Sequence, residues 1–484
     1  MEIAQLLTVG LAAAAVVLLA VFRRGITRHG GAPPPPKPIE ISDSAAARAA
    51  LIDHADAFSN RPATLFAVPL VTGRRRRRSD SITSARHGPL WRALRCNLTA
   101  GALHPSRYGL LAPLQRAAVA ELVASLSAPA AGDGDTVVVR DAVHAAVFGL
   151  VARMCFGDGI VDGMGPGRLL AMRRVMQGFV RAIGEANAFG GSSSSWPARL
   201  LQHGRLRRFL AYRGEQAEFF LPLVEERRRR RRSDFCNDGG GVKPYVDTLI
   251  DLRVPDEDAG GEDDVPSRRA VADDEMVSLL SEFLGASTEA AASCIEWTLA
   301  HLVRRPEVQA KLRRELTGDE HSAERLRGLP YLHAVLLESL RLHPPVPFLM
   351  RHVDGDVHAA AVGGEAVPPG GARVLFLIRD MARDARDWTE PGEFRPERFL
   401  AGGEAEGVGA VPGPKEMRMM PFGAGRRYCP GAGMGMMHVK CFLAALVREF
   451  EWAAPAAGGV DMTELDGFFK VMRTPLRVHV KRSI

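Results

Sequence analysis

The sequence predicts a mainly α-helical fold carrying a small β-sheet portion, and three observations predict it. Apolar residues recur at helical spacing through Val137 to Met154, Leu169 to Ile183 and Leu206 to Val224. From the acidic cluster Asp273-Asp274-Glu275 to about Val303 the pattern is nearly continuously apolar, as in a helix at the centre of a large protein. Extended stretches are short by comparison, the clearest being Phe348 to Val353 and Val471 to Val480. With 484 residues, 46% of them hydrophobic, the chain has ample material for a large core.

Chemistry concentrates in one stretch, Pro421-Phe-Gly-Ala-Gly-Arg-Arg-Tyr-Cys429-Pro-Gly431, directly ahead of a helix-patterned run from Ala432 to Phe450. A thiolate held near a low-dielectric group needs backbone N–H donors and positive charge to stay ionised. The helix presents its N-terminus to the Cys429 sulfur, and Pro430 suits a first turn where a missing N–H costs nothing. Gly423, Gly425 and Gly431 permit close approach of backbone to a ligand, while Arg426 and Arg427 can meet negative charge. A dinucleotide-binding reading of Gly431-Ala-Gly433-Met-Gly435 fails, because the third glycine is out of register and no strand precedes it.

Phe422, Gly425, Arg427, Cys429 and Gly431 fill every fixed position of Phe-x-x-Gly-x-Arg-x-Cys-x-Gly, the haem-binding signature of the cytochrome P450 superfamily, which the chain resembles. The competing reading is an inert, packed cysteine, and five matched positions weigh against it. The wording of Met420 to Arg427 and of Gly88-Pro-Leu-Trp-Arg-Ala-Leu-Arg95 is most similar to plant microsomal members near families 77 and 89. The resemblance implies haem b, ligated through Cys429, in a P450 fold with a small β-sheet subdomain.

Residues Ile3 to Phe22 are almost unbroken apolar, long enough as a helix to span a thin bilayer. Glu2 precedes the run, and Arg23, Arg24 and Arg28 follow it. That order favours a retained anchor over a cleaved signal peptide and keeps the downstream chain cytosolic. The expected organisation is an anchor over residues 1–24, a stiff proline-rich hinge over 25–38 and a haem domain over 39–484. By resemblance the membrane is that of the endoplasmic reticulum, crossed once. Six cysteines without CxxC pairing suit a reducing compartment and argue against zinc or a disulfide framework.

The net charge of +7 depends on two runs, Arg74 to Arg78 and Arg227 to Arg232, without which the chain is acidic. No aromatic interleaving or recognition-helix pattern accompanies them. They read as solvated loops, and nucleic acid is not an expected partner.

Ile39-Glu-Ile-Ser-Asp43 reads as a strand following the hinge at once, so the first helix and opening strands that the family places there are missing. Ala45 to Phe58 reads as a short helix, followed by a long connection to His87. Trp91 and Arg95, four apart on one helical face, match the family's Trp-x-x-x-Arg and are implied to reach a haem propionate. Gly190 to Ser195 is a flexible break, and Gly-rich or acidic loops cover Phe235 to Gly241 and Val254 to Pro266.

Midway along the central helix, Ala286-Ser287-Thr288-Glu289-Ala290-Ala291 partly matches the family's oxygen-activation motif. Glu289 retains the acid implied to deliver protons. Ala290 replaces the usual alcohol and Ser287 the usual glycine, and Ser287, three residues before Ala290, offers a substitute hydroxyl. Weakened coupling of reducing equivalents to product is the expectation.

Pro330 to Leu342 reads as a helix opening on proline. Glu338 and Arg341 with Arg398 of Pro396-Glu-Arg-Phe399 match the family's buried Glu-Arg-Arg triad, whose role is structural. Arg351, on the strand after Pro344-Pro-Val-Pro347, is a candidate propionate contact. Phe468 and Phe469 are candidate pocket residues, and His438 reads as packed rather than ligating.

The resemblance implies a haem-thiolate monooxygenase inserting one atom of O₂ into a lipophilic small molecule. No flavin or nicotinamide motif is present, so electrons come from a separate NADPH–cytochrome P450 reductase, with Arg426 and Lys440 as candidate docking charges. Two alternatives stand beside this reading. One is a P450-type isomerase or dehydratase needing no O₂; the other is a catalytically impaired haem-binding remnant.

Overall fold

The computed structural model describes residues 37–62, 80–127, 136–187, 196–232, 242–256, 267–317, 323–355, 367–368, 370–413, 417–455 and 459–482. The predicted anchor, nearly all of the hinge, the first arginine run and the break at Gly190 to Ser195 lie outside the described residues, as do the loop at Phe235 to Gly241 and nearly all of that at Val254 to Pro266.

Helices dominate. The central helix, Asp273–Arg304, opens where the Glu275 carboxylate accepts the Ala272 N–H at 2.8 Å and is gripped by Arg269 at 2.6 and 2.7 Å. Acids in the first turn and Arg304 in the last suit the helix dipole. Val277, Leu280, Leu284, Ile295, Leu299 and Leu302 along it are fully buried, which explains the apolar run in the sequence. It packs most extensively against helix Val139–Phe156 and also touches the cysteine helix, Ala432–Glu449, and helix Pro330–Leu342.

Three small sheets flank this core. β1 (Ile39–Ile41) runs parallel to β6 (Ala372–Phe376), which pairs antiparallel with β5 (Leu349–Val353), in the order β1-β6-β5. Among the described residues β1 therefore forms one edge of a three-stranded sheet. A second sheet orders β2 (Thr136–Val138), β8 (Arg477–Arg482) and β7 (Phe450–Ala453) as β2-β8-β7. A hairpin of β3 (Arg253–Pro255) and β4 (Arg268–Ala270) completes the set.

Four expectations need correction. The helix predicted over Ala45 to Phe58 is only Ser44–Arg48, capped by Asp43, followed by a wider turn over Ala49–Asp53 that brings the Leu51 carbonyl against the cysteine loop. The helix predicted from Val137 begins at Val139, because Thr136–Val138 is taken by β2. The terminal strand begins at Arg477 rather than Val471, Pro475 having no N–H for a ladder. The second arginine run is not a loop: it is the C-terminal end of helix Trp196–Arg232. Arg227 is buried against Asp247 at 2.6 Å, Arg228 meets Asp273 at 2.9 Å, Arg231 meets Asp251 at 2.6 Å, and Arg229 and Arg230 hold Glu226. Cations at a helix C-terminus are also favoured by its dipole.

Candidate functional site

The cysteine loop is shaped by two left-handed glycines, Gly423 (φ 75°) and Gly425 (φ 69°). A Cβ at Gly425 would lie 2.4 Å from the Leu51 carbonyl oxygen, so only glycine lets the loop close on the preceding turn. The Cys429 N–H donates to the Phe422 carbonyl at 2.8 Å, holding the ends of the signature together. Burial pushes the Cys429 thiol up, and the Gly431 N–H with the Arg95 and Arg61 guanidinium groups pulls it back. The packed cysteines differ. Cys294 is pushed up to about 12 with only the Thr298 hydroxyl against it, and Cys441 to about 12 despite Lys440.

Around this thiol converge four guanidinium groups. Arg95, one turn beyond Trp91 on helix Pro89–Gly101, lies between the Trp91 ring at 5.5 Å and the Tyr428 ring at 4.6 Å. Its Nη2 and the Trp91 Nε1 are both buried without a hydrogen-bond partner. Arg351, 1% exposed on β5, donates to the Met350 carbonyl at 2.9 Å and leaves Nε without a partner. Burial, then the neighbouring Arg61 and Arg427 charges, lowers Arg351 to about 9. Arg427 falls to about 10 through burial and then Arg61 and Arg95.

Arg61 was not singled out in the sequence, having no motif around it. It couples to Cys429, Arg95, Arg351 and Arg427, and burial is the largest influence on it. Guanidinium groups keep their charge, so such a cluster with orphaned donors is complementary to an anionic, hydrogen-bond-accepting group. The two carboxylates of a haem fit this donor set, and a half-buried thiol beside it is the ligand such iron takes.

Arg427 has a further task that the motif did not reveal. Its Nε donates to the Ser59 carbonyl at 2.8 Å, Nη1 to Ile82 at 2.9 Å and Nη2 to Ala85 at 2.6 Å, with its plane 4.7 Å from the Trp91 ring centre. From the opposite side Glu282 of the central helix accepts the Thr83 N–H at 2.7 Å, the Ile82 N–H at 3.0 Å and the Ser81 hydroxyl at 3.3 Å. Residues 81–85 are thereby pinned between central helix and cysteine loop.

Farther along the central helix, Ala286 is exposed and Ser287 and Ala290 are half-buried. Glu289 accepts from His144 Nε2 at 2.9 Å. Thr288 is 1% exposed with an unpartnered hydroxyl. Phe468 and Phe469 meet edge to face at 5.1 Å, with the Phe468 backbone against Gly184.

The predicted triad is assembled. Both Glu338 oxygens accept from Arg341, at 2.7 and 2.8 Å, and Oε1 also takes the Arg398 Nε at 3.2 Å and the Arg395 N–H at 2.8 Å. Arg341 goes on to the Ala382, Pro391 and Glu393 carbonyls, and Arg398 to those of Thr389 and Glu390. His438 is packed as expected, with Gln115 Nε2 at 3.0 Å from its Nδ1. Lys440 is not a docking charge, since it is buried and its Nζ donates to the Leu326 carbonyl at 3.0 Å. Arg426 is exposed but paired with Asp56.

A half-buried thiol ringed by guanidinium donors, ahead of the N-terminus of a helix that packs against the long central one, defines a protein built to hold an anionic prosthetic group through sulfur. The cytochrome P450 family model matches residues 37–482. Cytochrome P450 89A9 of Arabidopsis thaliana is 33% identical over 468 residues, 94% of this chain and 86% of that protein. Ent-cassadiene C11-alpha-hydroxylase 1 of Oryza sativa subsp. japonica is 31% identical over 398 residues, 80% of this chain and 74% of its own. A zebrafish cytochrome P450 structure described with progesterone superposes with a TM-score of 0.71 at 22% identity, covering 92% of this chain and 93% of that one. The chain belongs to the cytochrome P450 family and, with it, to the monooxygenases.

Proposed function

We propose that the protein inserts one atom of O₂ into a lipophilic small molecule, holding haem b through the Cys429 thiolate. The observation that carries the reading is the convergence of Arg61, Arg95, Arg351 and the Trp91 N–H, with donors left over, beside a thiol whose buried ionisation the Gly431 N–H and two guanidinium groups favour. When bound, thiolate-ligated haem supplies the electron donation that favours O–O cleavage. The protein's part would be to neutralise the propionates with Arg95, Arg351 and Arg61, to donate to them from the Trp91 N–H, and to hold the sulfur with the Cys429-to-Phe422 bond. Glu289 is the proposed proton-donating acid, Ser287 the nearby hydroxyl, and Phe422, Gly425, Arg427 and Gly431 the frame of the loop.

Electrons are proposed to come from an NADPH–cytochrome P450 reductase, and the enzyme to sit on the endoplasmic reticulum by a single span within residues 1–24, its catalytic domain cytosolic and its entrance near membrane lipid. Among the described residues no single helix is long and apolar enough to cross a membrane, and the apolar run from Ile3 to Phe22 lies outside them.

The test is the carbon monoxide difference spectrum of reduced, haem-supplied protein. The parent should give the Soret band of thiolate ligation and C429H should lose it. A parent that takes up no haem would refute the reading.

A further inference from the structure

One buried titratable side chain outside the predicted motifs touches a proposed catalytic group directly. His144 is 4% exposed on helix Val139–Phe156, and its Nε2 lies 2.9 Å from Glu289 Oε1. Its Nδ1 is buried without a partner among the described residues. The Nε2–H tautomer, donating to the carboxylate, makes use of the one partner available.

This contact is not what joins the two helices. Arg140, one turn earlier than His144, donates to Glu296 at 2.8 Å, and the other Glu296 oxygen accepts the Leu476 N–H at 2.9 Å. These elements are therefore tied at a second point, independent of the His144 bond. Glu289 lies two turns past Glu282, on the stripe that includes Ala286 and Ala290. Glu282 grips residues 81–83 at the site's edge, which sets the direction of that stripe. Glu289 is thus at the border between the site and the His144 helix, one oxygen committed and the side chain still 17% exposed.

We infer that His144 is a positioning residue for Glu289. It fixes one carboxylate oxygen so that the other remains presented for proton donation, an orientation that matters more here because Ala290 contributes no hydroxyl beside it. The inference rests on Glu289 being the proton-donating acid.

The experiment uses haem-loaded full-length protein and the variants H144Q, H144N, E289Q and H144N/E289Q. Two quantities are read: the infrared C–O stretch of the carbon monoxide complex, and the initial rate of guaiacol oxidation driven by hydrogen peroxide. Glutamine can place an N–H where His144 Nε2 stands, whereas asparagine is too short to reach. H144Q should keep the parental stretch and a rate within about twofold. H144N should shift or broaden the stretch and slow the reaction about tenfold, and E289Q should slow it about tenfold to a hundredfold. The double variant should be no slower than E289Q, because His144 acts through Glu289. H144N with parental stretch and rate beside a slow E289Q overturns the role of His144 and leaves that of Glu289 standing. So does a double variant slower than E289Q. E289Q at parental rate overturns the role of Glu289 itself. If H144N does not load haem, H144Q decides: parental behaviour supports the inference, and behaviour like E289Q refutes it.

Discussion

Replacing Glu338 by alanine should destabilise the haem domain through one identifiable loss. The carboxylate is fully buried and accepts four hydrogen bonds, from Arg341 Nε and Nη2, Arg398 Nε and the Arg395 N–H. Removing it takes the carboxylate from Arg341, leaves Arg398 with Glu404 as its remaining one and unpairs the Arg395 N–H, and deleting one partner of a buried pair costs about 3–5 kcal/mol. Arg341 and Arg398 also hold five backbone carbonyls, so their geometry cannot relax without losing those bonds too. The loss is a large part of a typical stability of about 5–15 kcal/mol. Unfolding entropy near 2.1 cal/mol/K per residue makes the melting temperature of a roughly 450-residue domain fall by only about 1 °C per kcal/mol. The expected shift is therefore about 3–5 °C in a thermal melt of the haem-loaded protein followed by circular dichroism, and E338Q should be nearly as damaging. A melting temperature within 1 °C of the parent for E338A would refute the reasoning, since Arg341 Nε, Arg398 Nε and the Arg395 N–H all give their hydrogen bonds to Glu338.

Three further outcomes are expected. R61L and R351L should each weaken haem retention about tenfold or more, as loss of one charge-assisted bond implies, measured as haem absorbance per protein after dilution. Lowering pH from about 6.5 towards 4 should destabilise the fold, because burial holds His333 and His438 at about 4, below the ordinary 6.5, so their contribution is present above 6.5 and is lost as pH falls through the folded value; H438L should flatten that dependence in pH-resolved melts. A290T should raise product formed per NADPH consumed once a substrate is found, and an unchanged ratio would dismiss the weakened coupling attributed to Ala290.

What the sequence disclosed and what it hid divide along a physical line. The central helix, helix Pro330–Leu342 and the cysteine helix were legible to within a residue, because their period, proline starts and acidic first turn are local signals. The Glu338 triad was legible because spacing and order survive in the linear chain. Arg61 and His144 were not: each owes its place to neighbours more than a hundred residues away and has no motif around it. The arginine run at Arg227 was misread as a loop for the same reason, its counter-charges Asp247, Asp251 and Asp273 lying beyond the helix that contains it. Lys440 looked like a surface charge until the Leu326 carbonyl was seen to take it.

The clasp on residues 81–85 bears on how the molecule is made. One jaw, Glu282, is synthesised about 200 residues after the segment it holds, and the other, Arg427, about 345 residues after. Both must leave the ribosome before the Trp91 helix is fastened beside its future cofactor. Until then the growing chain can form helices but cannot close a haem-binding edge, so cofactor capture is deferred to the end of synthesis, and a message cut short ahead of Arg427 yields a product with no fixed place to put haem.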